Sequence, residues 1–232
     1  MTRPGGRPGG QLAALPLHFV WVADCSGSMS AQGKMASLNL AAREALPQMR
    51  KVARENPNAA VFVRVMRFST GASWVVDEPT PVQYFQWPEL TAVPGGMTDF
   101  GAALRLLARE LRVVGMPGRA LPPVLVALTD GYPTDDFASG LEALLQEPWG
   151  AKAVRLAVGI GGDTDYEVLR RFIGNPQLAP MQARNADELV RLIRWASTSV
   201  LEAASSPRVG ADADAALRPP AASERLGNLV TW

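Results

Sequence analysis

Asp24, Ser26 and Ser28, in the run Val22-Ala23-Asp24-Cys25-Ser26-Gly27-Ser28-Met29, bring a carboxylate and two hydroxyls to alternate positions of one short segment. They follow the apolar stretch Leu17 to Ala23, which reads as a strand buried in a parallel sheet. Open α/β sheets bind ligands beyond the carboxyl ends of their strands, which is where this Gly-containing loop begins. Hard oxygen donors of this kind suit Mg²⁺ or a similar ion, whereas zinc sites are built from clustered Cys and His. The spacing alone is weak evidence. It arises by chance in roughly one chain in twenty of this length, and a strand ending in an Asp-capped turn produces the same pattern.

Two further segments offer oxygen ligands. Val93-Pro94-Gly95-Gly96-Met97-Thr98-Asp99-Phe100-Gly101 makes a tight Gly loop and leads into an apolar helical pattern, with Thr98 or Asp99 where an N-cap belongs. Plain capping accounts for that pattern; the functional reading turns the Thr98 hydroxyl toward a cation and leaves the cap to Asp99 or the backbone. Pro123 to Gly131 is another continuous apolar strand, ending in Thr129-Asp130-Gly131. An Asp-Gly pair there is common as a turn. It also sets Asp130 beside Asp24 if the two strands are neighbours. Three separate loops with oxygen donors are far more specific than one.

These residues resemble the von Willebrand factor A (vWA) domain family. Asp24-Cys25-Ser26-Gly27-Ser28 matches its Asp-x-Ser-x-Ser element, Thr98 its threonine loop, and Thr129-Asp130-Gly131 its third loop. Within the family the chain most resembles the bacterial tellurium-resistance TerY type. That likeness rests on Arg64 to Ser69, Thr129 to Phe137 and Ile193 to Ser197, and the similarity covers about Leu15 to Leu201. One departure concerns the second loop: many members have Gly-Gly-Thr, whereas Met97 intervenes here before Thr98.

The resemblance implies a single doubly wound, Rossmann-like α/β domain. Its central sheet is expected to be mostly parallel with one short antiparallel edge strand, and helices to cover both faces. It also implies a metal-ion-dependent adhesion site (MIDAS) built from Asp24, Ser26, Ser28, Thr98 and Asp130, with the two aspartates acting through bound waters. Mg²⁺ is the expected cation, with Mn²⁺ or Ca²⁺ as alternatives, and an Asp or Glu of a partner protein is the expected ligand. A TerY-type protein would be a regulatory or scaffolding component of a bacterial stress or defence system, alongside a Ser/Thr kinase and a PP2C-type phosphatase. Other intracellular vWA proteins are adaptors for AAA+ ATPases, an alternative that shares the same site chemistry.

With 232 residues, 47% hydrophobic and 19% charged, the chain can bury a full core as one domain with tails. A formal net charge of +1 gives no general electrostatic reason to bind nucleic acid or an anionic membrane. The single cysteine, Cys25, excludes an intrachain disulfide and reads as a small core residue. His18, also single, lies inside the first strand and reads as packed. The N-terminal Thr2 to Gly10 lacks the apolar core of a signal peptide, and no apolar run approaches membrane-spanning length. A cytoplasmic, non-enzymatic protein is the expectation.

Gly27 to Lys34 has a superficial likeness to a phosphate-binding loop. Five residues separate its glycines where four are required, however, and Met35 replaces the Mg²⁺-binding Ser or Thr. A haloacid-type phosphotransferase would place a second aspartate where Ser26 stands.

The expected order begins with an arm at 1–14 and the strand to Ala23, then a helix from Lys34 to Glu55 kinked at Pro47. Strands follow at Ala60–Phe68 and Ser73–Asp77. An ordered loop, Pro79 to Pro94, then packs its aromatics against the sheet end. After it come a helix Phe100–Val114, strand Val124–Thr129, helix Phe137–Gln146, strand Ala153–Gly159, helix Thr164–Ile173, strand Ala179–Gln182 and helix Ala186–Leu201. Asp135 and Asp136 read as N-capping residues, the alternative being a negative rim to the site. Arg64 and Arg67 share a face of their strand only if a bulge intervenes. The Ala/Pro/Ser-rich 202–232 reads as a disordered tail, its Leu226–Trp232 end either frayed or a short docking motif.

Overall fold

The structure, a computed structural model, describes residues 14–112, 116 and 118–204. The expected arm and nearly all of the expected tail, including Leu226–Trp232, lie outside the described residues; the helix that starts at Phe100 ends at Glu110 and not at the expected Val114, its C-cap being Leu111.

β1 (Leu15–Asp24) is buried from Leu17 onward on both of its faces, which requires cover above and below the sheet. It pairs in parallel with β2 (Ala59–Ser69) on one side. α1 (Lys34–Glu55) connects the two and runs unbroken through Pro47. β3 (Gly71–Pro81) returns antiparallel along the outer edge of β2. Beyond α2 (Phe100–Glu110) the chain crosses to the other side of β1, where β4 (Val124–Thr129) pairs with it in parallel. α3 (Phe137–Gln146), α4 (Pro148–Lys152), β5 (Val154–Ile160), α5 (Tyr166–Ile173), β6 (Met181–Ala183) and α6 (Ala186–Ala204) complete the described chain. The sheet order is β3-β2-β1-β4-β5-β6, with α6 packed on α1 and α3 on α2. This is the doubly wound, mostly parallel architecture expected from the sequence. Because the winding reverses between β1 and β4, their carboxyl ends open a crevice at that point.

Other element boundaries also differ from the expectation; α5, for one, starts at Tyr166 and not at Thr164. β3 has eleven residues and not five, because an edge strand tolerates Pro79 and Pro81 where a central one would not. α4 begins with Pro148 at its first position, and its five residues are too few to show a helical period. α6 continues to Ala204, with Leu201 buried beneath it. β6 is three residues long and starts at Met181.

Elsewhere the sequence reading largely holds. The 82–94 segment packs inward through Val82, Phe85, Trp87 and Leu90, whereas Tyr84, also expected to pack, is exposed and Pro79–Pro81 belong to β3. Asn39 of α1 fastens it by bonding the Leu90 backbone at both N and O and accepting from Trp87 Nε1. His18 is buried against Phe62, and burial lowers its pKa. Register shifts in the β2–β3 pairing flank Val65. Arg64 lies over the Trp74 ring at 3.8 Å and pairs with Asp77 and Glu110, while Arg67 is exposed and donates to Ser73.

Candidate metal centre

Register fixes the first contact of the site. Ala23 on β1 lies opposite Leu128 on β4, so Asp24 and Thr129 emerge side by side at the carboxyl edge. Thr129 Oγ1 donates to Asp24 Oδ2 at 2.6 Å, and the Ser26 backbone N–H donates to Asp24 Oδ1 at 2.7 Å. Asp24 is fully buried with both oxygens engaged. Burial pushes its carboxyl from an ordinary 3.8 up to about 6, against the lowering effect of the bonds from Ser26 and Thr129; the nearby Asp130 adds to the rise. A charge kept there at neutral pH is costly unless a cation is near.

The two serine hydroxyls lie 3.0 Å apart. Ser28 Oγ donates to Asp130 Oδ1 at 2.7 Å, and Lys34 Nζ approaches Asp130 Oδ2 at 2.9 Å. Asp130 and Ser26 are buried, whereas Ser28 is exposed at the mouth of the site. After Ser28 the chain runs through a 3₁₀ stretch, Gly27–Gly33, in which Gln32 (φ 53°) and Gly33 (φ 72°) are left-handed. That turn starts α1 with the Lys34 side chain directed inward.

The loop carrying Thr98 is fastened to the first loop by backbone bonds. Gly27 N donates to Gly96 O at 3.0 Å, and Val93 N donates to Cys25 O at 2.8 Å. A Cβ on Gly96 would lie 2.1 Å from Ser69 Oγ and 2.9 Å from Val93 O, so only glycine fits this approach. Thr98 is buried, its Oγ1 3.5 Å from where a Cβ on Gly131 would stand, against the turn that carries Asp130. Met97 does not turn Thr98 outward; Met97 itself is exposed.

Asp99 does not cap α2 with its side chain. Its carboxylate accepts from Gly71 N and Thr134 Oγ1, and the cap comes from the third loop instead. Asp135 accepts from Gly101 N and Ala102 N at 2.8 and 2.7 Å, and Asp136 caps α3 by accepting from Ser139 N. Both aspartates therefore serve as caps, one of them across loops. Cys25 is buried, and burial pushes its thiol up to about 12, as befits a packing residue.

The structure thus gathers Asp24, Ser26, Ser28 and Asp130 into one bonded cluster and packs Thr98 against its third loop. Two members carry no individual signal in the sequence: Thr129, the last residue of an apolar strand, and Lys34, the first residue of a helix.

This donor set fits a hard divalent cation. Adjacent vertices of an octahedron with metal–oxygen bonds of 2.0–2.1 Å are about 2.9 Å apart, and the serine oxygens are separated by 3.0 Å. Among the described residues no cluster of three or more His, Cys, Asp or Glu could hold a metal.

No family model matches the chain, and no curated protein matches it in sequence. Its shape does find solved relatives. A von Willebrand factor type A protein from Catenulispora acidiphila matches with a TM-score of 0.61 at 19% identity, over 80% of this chain and 42% of that one. Proximal thread matrix protein 1 of the mussel byssus, solved with a zinc-occupied MIDAS motif, matches at 0.57 with 16% identity, over 82% of this chain and 46% of that one. BatB from Bacteroides thetaiotaomicron matches at 0.53 with 12% identity, over 78% of this chain and 96% of that one. The chain spans less than half the length of the first two. At these identities the likeness establishes the fold: the chain has the fold of von Willebrand factor A domains.

Proposed function

We propose that this chain is a metal-dependent protein-binding module, not an enzyme. Ser26 and Ser28 bind Mg²⁺ directly, with Thr98 as a third hydroxyl, and Asp24 and Asp130 orient bound water from behind. The cation supplies a positive charge only partly neutralised by its hydroxyl ligands, to which a partner's Asp or Glu carboxylate is drawn. Ser28, exposed above buried carboxylates, marks the side from which that ligand enters. The observation that carries this reading is the 3.0 Å pair of serine oxygens bonded through Ser28 to Asp130 and flanked by buried Asp24. The zinc-occupied MIDAS of the byssus protein lends it support by analogy of fold. Neither the packed His18 nor the buried Cys25 offers a base or nucleophile beside the serines, which favours recognition over chemistry.

The natural partner class, by the TerY-type resemblance, is a bacterial Ser/Thr kinase or PP2C-type phosphatase, the protein acting as a regulatory scaffold in the cytoplasm; the alternative is an AAA+ ATPase. Among the described residues no helix is long and apolar enough to cross a membrane. The test is titration of Mg²⁺ into the wild type and Ser26→Ala by calorimetry, with circular dichroism as the fold control, and capture of a native partner with and without EDTA. Chelation should release the partner, and Ser26→Ala should abolish the Mg²⁺ heat. Equal heats in both proteins would end this reading.

A further inference from the structure

Lys34 opens α1, yet its side chain points into the protein: the residue is 6% exposed and its Nζ lies 2.9 Å from Asp130 Oδ2. Lysine is rarely buried without a strong reason, because taking an ammonium out of water is costly unless it is paired. Here the pairing is with a carboxylate whose other oxygen holds Ser28. A structural ion pair placed elsewhere would have no bearing on the serines. This one shares its acid with them.

The charges can be counted by residue. Asp24 and Asp130 are the buried carboxylates of the cluster and Lys34 its ammonium, so the cluster carries one net negative charge. A divalent ion beside Ser28 would bring that to one net positive, where two carboxylates alone would have made it neutral. The ammonium and the ion would also stand on either side of the same carboxylate, where low dielectric makes their repulsion strong.

We propose that Lys34 is a tethered counter-cation that weakens the site's own hold on a divalent ion and leaves part of the charge balance to the incoming carboxylate. Metal and acidic ligand then bind cooperatively, each strengthening the other by the same factor. The inference rests on the metal-site reading above and adds what sets its affinity. Ser28 bonds one oxygen of Asp130 and Lys34 the other, so a variant at Lys34 leaves the Ser28 partner atom in place and separates the charge of Lys34 from the orientation of Asp130.

The test is titration of Mn²⁺ into the full chain by calorimetry for the wild type, Lys34→Arg and Lys34→Gln, with and without acetate as the carboxylate probe. Lys34→Gln removes the charge and leaves a shorter, neutral hydrogen-bond donor facing Asp130. Lys34→Ala, which admits water to Asp130, is the second neutral variant, and circular dichroism checks both. Lys34→Arg should match the wild type within about threefold, the neutral variants should bind Mn²⁺ about tenfold or more tightly, and acetate should tighten Mn²⁺ more in the wild type than in either. A silent wild type with a binding Lys34→Gln supports the proposal in its strongest form. A wild type that binds while the folded neutral variants bind equally or more weakly overturns it and leaves the metal site standing, with Lys34 a positioning residue. If none of the proteins binds Mn²⁺, the proposal and the metal-site reading fall together.

Discussion

Asp24→Asn should change the pH dependence of stability in a direction opposite to that of most carboxylates. Asp24 is fully buried, and burial raises its carboxyl to about 6 from 3.8. A raised folded-state value means the native protein binds the proton more tightly than the unfolded chain. The stability this provides is present below the unfolded value and is lost as pH rises through the folded one. For these two values the loss is about 1–2 kcal/mol by pH 5 and about 3 kcal/mol by pH 7. Asparagine keeps the acceptor for Ser26 N and can donate to Thr129, without a charge. Urea unfolding of both proteins in EDTA, from pH 4 to pH 7, isolates Asp24 as the difference between two curves. The variant should gain on the wild type by about 2 kcal/mol over that range, and saturating Mg²⁺ should close the gap by stabilising only the wild type. A difference that does not vary with pH would show that Asp24 bears no burial penalty. The argument that its charge awaits a cation would then fail.

The remaining predictions concern how the three loops are held. Gly96→Ala should cost about 1–3 kcal/mol in urea unfolding and weaken Mg²⁺ binding, since the new Cβ would meet Ser69 and the Val93 carbonyl and push the Thr98 loop off Gly27. Wild-type stability in that variant would mean the loops do not touch as described. Asp135→Ala should cost about 1–2 kcal/mol by removing the acceptor of two backbone N–H groups of α2, measurable as a lower denaturation midpoint. An unchanged midpoint would assign the cap elsewhere.

Much of this arrangement was legible in the sequence, because each strand that carries a ligand is a continuous apolar run with a polar end. Leu17 to Ala23 and Val124 to Leu128 could be recognised as buried parallel strands, and neighbouring parallel strands place Asp24 and Asp130 together. What stayed hidden depends on contacts between distant segments. Nothing local distinguishes the cap that Asp135 gives α2 from one it might give its own helix, and the nearer Asp99 suits the role better by position. Lys34 looks like any exposed residue at a helix start until the left-handed pair Gln32 and Gly33 turns it inward. The packing of Thr98 against Gly131 likewise depends on the fold, since the two residues are far apart in the chain.

The central claim is that the hydroxyls of Ser26 and Ser28 share one divalent ion. A crystal structure of the chain grown with Mn²⁺, with anomalous scattering to locate the metal, tests it directly. The account predicts a single strong peak bonded to both serine oxygens at about 2.1–2.2 Å, close to the distances of other hard divalent ions. A peak elsewhere, or none at saturating Mn²⁺, would contradict it.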